Sequence, residues 1–176
     1  IRELRRQNVI FTTTPRSGEL AQEFEGIFYK YGATITHTTP EYHDRQMAFH
    51  QNLEHFTKVV LAEVLRAQFG KPEVMATYSS PNSRLSLITM GRVLKGDPQL
   101  YAEIQTQNLQ GAGMIREYLR IASDIGEALM RGDAERFAQA MSACAEAFGP
   151  AFVDHAVATS NAIQQATSVP LSRETL

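Results

Sequence analysis

The sequence predicts a mainly α-helical chain, an all-helical domain preceded by a short β-α-β unit. Three observations carry this. Asn8-Val9-Ile10-Phe11-Thr12-Thr13-Thr14 is a β-branched run near the start. From residue 39 onward the apolar residues recur at helical spacing, and no strand pattern is evident there. The same stretch is punctuated by helix starts and stops: Thr39-Pro40, Ser80-Pro81, Asp97-Pro98, Gly132-Asp133 and Gly149-Pro150.

Taken in order, the run at 8–14 reads as a strand, broken by Pro15-Arg16-Ser17-Gly18. Glu19 to Tyr31 places Leu20, Phe24, Ile27 and Phe28 on a helix that Gly32 ends. Ala33-Thr34-Ile35-Thr36-His37 reads as a second strand. Strand, helix and strand make parallel strands joined by a crossover. Two strands alone make a poor sheet, so this unit reads as the last edge of a larger α/β domain. Thr39 then caps a helix with Pro40 at its first turn and Glu41 near the positive end of its dipole. Phe49, Leu53, Phe56, Val60 and Val64 share one face, which predicts a single helix to about Gln68, with Gly70 ending it. Further helices are expected from Ser80 to Gly96, from Asp97 to about Arg131, from Asp133 to Phe148, and from Pro150 to about Thr167. The predicted division is therefore 1–38, 39–168 and a frayed tail at 169–176.

The chain has 176 residues, 43% of them hydrophobic, which is enough for one ordinary core. Its formal charge of −2 offers no basic footprint for nucleic acid and no polybasic patch for a membrane surface. No apolar run approaches the roughly 18 residues that a membrane span needs. One cysteine, Cys144, excludes an internal disulfide and multi-cysteine metal motifs. Its setting, Ala143-Cys144-Ala145, is that of a buried structural thiol. A reducing cytoplasm is the expectation.

Several residue groups invite chemistry. His37, His43, His50 and His55 crowd one stretch, but on a helix a metal pair needs i, i+3 or i+4. His43 and His50 share a face yet lie two turns apart, about 10 Å by helix rise. His55 stands out because it adjoins Phe56 in the most apolar part of its helix. Arg84 and Arg92 lie on one predicted helix, about 80° apart around the axis, so both can border one cleft. A planar guanidinium suits a carboxylate; equally, a helical arginine commonly lies on a solvated face. Gly91 is costly in mid-helix by roughly 1 kcal/mol, which points to close approach by a neighbouring helix or a ligand. Gly111-Ala112-Gly113 mimics a dinucleotide fingerprint but follows a helix pattern, and Arg116 holds the third glycine position. Close helix packing is the better reading there. Pro15-Arg16-Ser17-Gly18 is read as a plain βα turn.

Two stretches resemble prephenate dehydrogenases of the enteric bacterial type. One is Thr39-Pro40-Glu41-Tyr42-His43-Asp44-Arg45-Gln46-Met47-Ala48-Phe49 through His55-Phe56. The other is Ser79-Ser80-Pro81, Arg84-Leu85, Met90-Gly91-Arg92 and Asp97-Pro98-Gln99-Leu100-Tyr101-Ala102. The resemblance covers nearly all the chain and weakens after about residue 110.

It implies that residues 1–38 end a nucleotide-binding domain, most of which, with its Gly-rich loop and catalytic histidine, lies outside this sequence. No residue here is then expected to be catalytic or to bind the cofactor, NAD or NADP. The helical part would form a homodimer and close the cleft for a small dicarboxylate substrate. By the same resemblance Arg92 is the main ligand for a prephenate carboxylate. Arg84, His55 and Tyr101 line or support the cleft, where feedback inhibition by tyrosine is also felt; His43 matches a family histidine. The implied reaction is oxidative decarboxylation of prephenate to 4-hydroxyphenylpyruvate in tyrosine biosynthesis, a reaction this part alone would not perform. Asn82-Ser83 depart from the bulkier residues of the family pattern, which leaves arogenate and 4-amino-4-deoxyprephenate as alternative substrates. A helical dimerisation module without a ligand is the rival from another class.

Overall fold

A computed structural model describes residues 4, 5, 7–70 and 78–166. Strands β1 (Asn8–Thr12) and β2 (Thr34–Thr38) pair in parallel, with Asn8 opposite Thr34 and Phe11 opposite His37. Helix α1 (Leu20–Lys30) crosses between them. Phe28 on α1 meets Phe11 edge-on at 6.1 Å, and Glu25 bonds His37 at 2.9 Å. Gly32, at φ 83°, makes the left-handed turn into β2. This two-stranded unit matches the predicted β-α-β, with strand ends shifted by a residue or two.

The next rod comprises α2 (Pro40–Met47), a π-helical segment (Ala48–Leu53) and α3 (Glu54–Phe69). The Thr39 hydroxyl accepts from the Tyr42 N–H at 3.2 Å, and Gly70 at φ 72° ends the rod. The expected helix is therefore present, but it is not uniformly α. Its π segment packs chiefly against α6 (Leu109–Met130) and carries two buried side chains, Ala48 and Asn52. The two are four residues apart and so share the face turned to α6.

Helices α4 (Pro81–Leu94) and α5 (Pro98–Gln107) start where predicted, on the Ser80 and Asp97 caps. The single helix expected from Asp97 to Arg131 is corrected. Asn108, at φ −85° and ψ 103°, ends α5 and begins α6. Its side-chain oxygen accepts from Gln110 N–H at 3.0 Å, and its Nδ2 donates to the Asp44 carbonyl at 2.8 Å. An asparagine satisfied in this way favours the cap over helix continuation. Helices α7 (Ala134–Phe148) and α8 (Pro150–Ala166) follow the turns at Gly132 and Gly149, both at φ 81°. The predicted tail, 169–176, lies outside the described residues.

The chain does not bury its apolar residues by itself. The buried hydrophobic side chains among the described residues are Ala33, Ala48, Met90 and Ala128. Phe24, Leu119, Leu129, Met141, Phe148 and Phe152 are all exposed. The whole chain exposes 13948 Å², whereas a compact monomer of 19.6 kDa exposes about 8,600 Å². Cys144, expected to be buried, is exposed. It lies on the α7 stripe of Phe137, Met141 and Phe148, each of which is itself about half exposed or more. The setting is apolar as expected, but among the described residues that face stays largely uncovered, with Phe148 meeting Phe152 at its end.

Candidate functional site

The α4–α5 junction folds over α3 and leaves a cleft of about 370 Å³, lined by His55, Phe56 and Val59 on one side and Val93, Tyr101 and Gln105 on the other. Tight local chemistry places Tyr101. The Asp97 carboxylate accepts from the Gln99 and Leu100 N–H groups, which fixes the first turn of α5. Gly96 lies directly under the ring: an added Cβ would come within 2.3 Å of Tyr101 Cε2. Glycine at 96 thus lets the tyrosine fold back toward α3. There it lies over His55, with ring centroids 4.4 Å apart and planes tilted by 37°.

His55 is half-buried, and its Nδ1 is buried without a hydrogen-bond partner. Desolvation lowers its pKa below the ordinary value, against a smaller opposing effect from Glu54. The imidazole is therefore neutral at neutral pH. It offers a ring face and a hydrogen-bonding nitrogen rather than a positive charge.

Positive charge near the cleft comes from α4. Arg92 directly precedes Val93 in the cleft wall and is itself exposed; Arg84, two turns earlier, is half-buried. Neither arginine forms an ion pair among the described residues, while Arg66, Arg120 and Arg136 each hold a carboxylate. The structure thus brings His55 and Tyr101 into contact, while neither Arg92 nor Arg84 is among the residues that line the cleft. An added Cβ at Gly91 meets open space, so among the described residues no neighbouring helix accounts for that glycine. His43 lies elsewhere, on α2, with Nδ1 3.1 Å from an Asp44 carboxylate oxygen.

Two residues were not anticipated. Gln105 lines the cleft, and its Oε1 is buried without a partner. Asn52, 0% exposed, sits behind the cleft in the π segment. Its signal in the sequence is faint: it is one of two adjacent amides, Gln51 and Asn52, among Phe49, Leu53 and Phe56. The space that a Cβ on Gly111 would need is filled by the Asn52 amide, 2.3 Å from that position. Gly111-Ala112-Gly113 is therefore a packing seat inside α6, not a cradle for a pyrophosphate. The described residues hold no group of three or more His, Cys, Asp or Glu side chains placed to bind a metal. Among them no helix is long and apolar enough to cross a membrane. A second hollow of about 560 Å³, between α3 and the start of α4, is lined mainly by leucines and serines.

Residues 39–143 match the family model "Prephenate dehydrogenase, dimerization domain". Two curated relatives extend the likeness. A probable arogenate/prephenate dehydrogenase of Methanocaldococcus jannaschii is 29% identical over 148 residues, covering 83% of this chain and 33% of that protein. The T-protein of Enterobacter agglomerans is 29% identical over 150 residues, covering 85% of this chain and 39% of that protein. The chain thus spans well under half the length of these relatives. The fold is similar to the crystal structure of prephenate dehydrogenase from A. aeolicus in complex with hydroxyphenyl propionate and NAD+. That match has a TM-score of 0.58 and 17% identity, and covers 78% of this chain and 47% of the other. A second structure of the Aquifex aeolicus enzyme gives a TM-score of 0.58 at 16% identity, over 81% and 50%. With more than half of its length matched by the family model, and with the helical fold of the solved enzymes, the chain belongs to the prephenate dehydrogenase dimerization-domain family.

Proposed function

We propose that this chain is the substrate-binding and dimerisation region of an NAD- or NADP-dependent prephenate dehydrogenase, working in the cytoplasm in tyrosine biosynthesis. The single observation that carries the substrate part is the cleft, where His55 and Tyr101 form an aromatic wall one residue along α4 from Arg92 at Val93. Prephenate is a dianion with a six-membered ring. The ring fits the apolar walls, and a carboxylate fits the planar fork of Arg92 at the rim. Burial lowers the pKa of His55, so in this reading the arginines supply the lasting positive charge for the substrate, with Arg84 supporting Arg92. Tyrosine shares a six-membered ring and a carboxylate with the substrate, so it suits the same cleft as an inhibitor.

In the whole enzyme a nicotinamide cofactor would supply the hydride acceptor for the oxidation that accompanies loss of carbon dioxide. We assign that cofactor to the nucleotide-binding part of the protein, of which residues 1–38 would be the last edge. The role of residues 39–168 is to hold the dicarboxylate in attack geometry and to pair two chains. Dimerisation is supported by the exposed apolar faces of α6 to α8. An interface of 2,000 Å² or more, about the size of an obligate dimer contact, would account for part of the excess surface. The cleft is what weighs against a ligand-free helical module, since such a module would pair chains as well.

One relative is described as a probable arogenate/prephenate dehydrogenase, which favours arogenate as the second reading, with 4-amino-4-deoxyprephenate behind it. The test is reduction of NAD and of NADP by the full-length protein, offered each of the three substrates in turn. Turnover of prephenate is expected. Turnover of arogenate or the amino analogue alone would replace the substrate assignment, and no turnover of any would overturn the reading.

A further inference from the structure

We propose that Asn52 is a positioning residue for the cleft: from its buried seat in the π segment, its side-chain amide ties α5 to the α2–α3 rod and so sets Tyr101 against His55. The proposal builds on the reading of this cleft as the substrate site.

The last carbonyls of any helix lack partners within it. Helix α5 ends at Gln107, so Ile104 and Gln105 are among those left open. Asn52 Nδ2 donates to Ile104 O at 2.9 Å and approaches Gln105 O at 3.4 Å. A side chain 52 residues away thus closes the end of α5. Gln105 returns a weaker link, its Nε2 reaching the Gln51 carbonyl at 3.4 Å. The spacing along each helix is what matters. His55 lies three residues after Asn52, and Tyr101 lies three residues before Ile104. The amide therefore joins the turn that carries one ring to the turn that carries the other.

The seat admits little else. Asn52 is 0% exposed, and Gly111 faces its amide so closely that a Cβ would fall 2.5 Å from Nδ2. Aspartate has the same shape but lacks the donor, and it would set a carboxylate against two carbonyls. Asn52 is one of two buried residues in the π segment, whereas α3, which continues the rod, has none among its described residues.

The test uses the full-length enzyme and compares Asn52→Asp and Gly111→Ala with Asn108→Ser. The last keeps an oxygen for the α6 cap but removes the other tie to the rod, the donation to Asp44 O. One readout is the ring-current shift of the His55 imidazole protons, assigned by their loss in His55→Gln. The other is KM against kcat for prephenate. Asn52→Asp and Gly111→Ala are expected to move the His55 signal and to raise KM about tenfold or more, with kcat within about threefold. Asn108→Ser is expected to leave both near wild type. An unmoved His55 signal together with an unchanged KM in Gly111→Ala would overturn the proposal, even if Asn52→Asp fails to fold. So would equal effects of Asn52→Asp and Asn108→Ser. If the wild type ignores prephenate, the substrate reading fails, and the His55 signal alone then decides the positioning role.

Discussion

Glycines 111 and 113 are two residues apart in α6, and the structure assigns their alanine variants opposite signs. Gly113 has nothing within 4 Å of an added Cβ, so alanine there gains only helix propensity, about 0.5–1 kcal/mol of stability. Gly111→Ala gains the same propensity but puts its Cβ 2.3 Å from Asn52 Cγ. Overpacking of that kind costs about 1–3 kcal/mol. Displacing Asn52 from Ile104 O adds about 1–3 kcal/mol for a buried amide left unpaired. The net is a loss of about 3 kcal/mol, or a ratio of more than a hundredfold in the folding equilibrium. Urea unfolding followed by far-UV circular dichroism measures it, at one fixed protein concentration because an oligomer's stability depends on concentration. A Gly111→Ala protein as stable as Gly113→Ala would refute the reasoning and remove Asn52 from its seat.

Gly96→Ala should push the Tyr101 ring off His55, since its Cβ would fall 2.3 Å from Cε2; calorimetry should show ligand affinity down about tenfold, from the lost ring contact and the misplaced wall. The lowered pKa of His55 means that the folded state binds fewer protons than the unfolded state below the ordinary value of 6.5. Its contribution to stability is therefore complete above that pH and is lost as pH falls through it; denaturant midpoints at about pH 7 and about pH 5 should converge in His55→Gln. Cys144 lies on the uncovered α7 stripe, so its labelling by a thiol reagent should slow as protein concentration rises and chains pair. A rate independent of concentration, in a protein that sedimentation shows to be dimeric, would place the interface elsewhere.

The parts of this fold that were legible in the sequence are those decided locally. Ser80-Pro81, Asp97-Pro98 and Gly132-Asp133 carry cap chemistry that works in any context, and each begins a helix where expected. The parts that were not legible depend on distant partners. Asn108 breaks a helix because the Asp44 carbonyl, 64 residues away, receives its amide. Asn52 sits in a π segment because α5 ends and Gly111 leaves room beside it. Cys144 was misplaced for a related reason: an apolar neighbourhood on one helix says nothing about which chain covers it. At the site, pattern alone left the two arginines open between a cleft and solvent. The family resemblance put His55 and Tyr101 at one cleft but did not pair them; their ring contact, 4.4 Å between centroids, is seen only in the structure.

The central claim is that Arg92 takes a substrate carboxylate at the rim of this cleft. Calorimetric binding of prephenate to the full-length enzyme, wild type against Arg92→Ala, with NAD present, tests it most directly. The account predicts a loss of about 2–5 kcal/mol in the variant, the cost of leaving a desolvated carboxylate without its partner. A difference below about 0.5 kcal/mol, within the range of a surface substitution that touches nothing, would contradict it and remove Arg92 from the site.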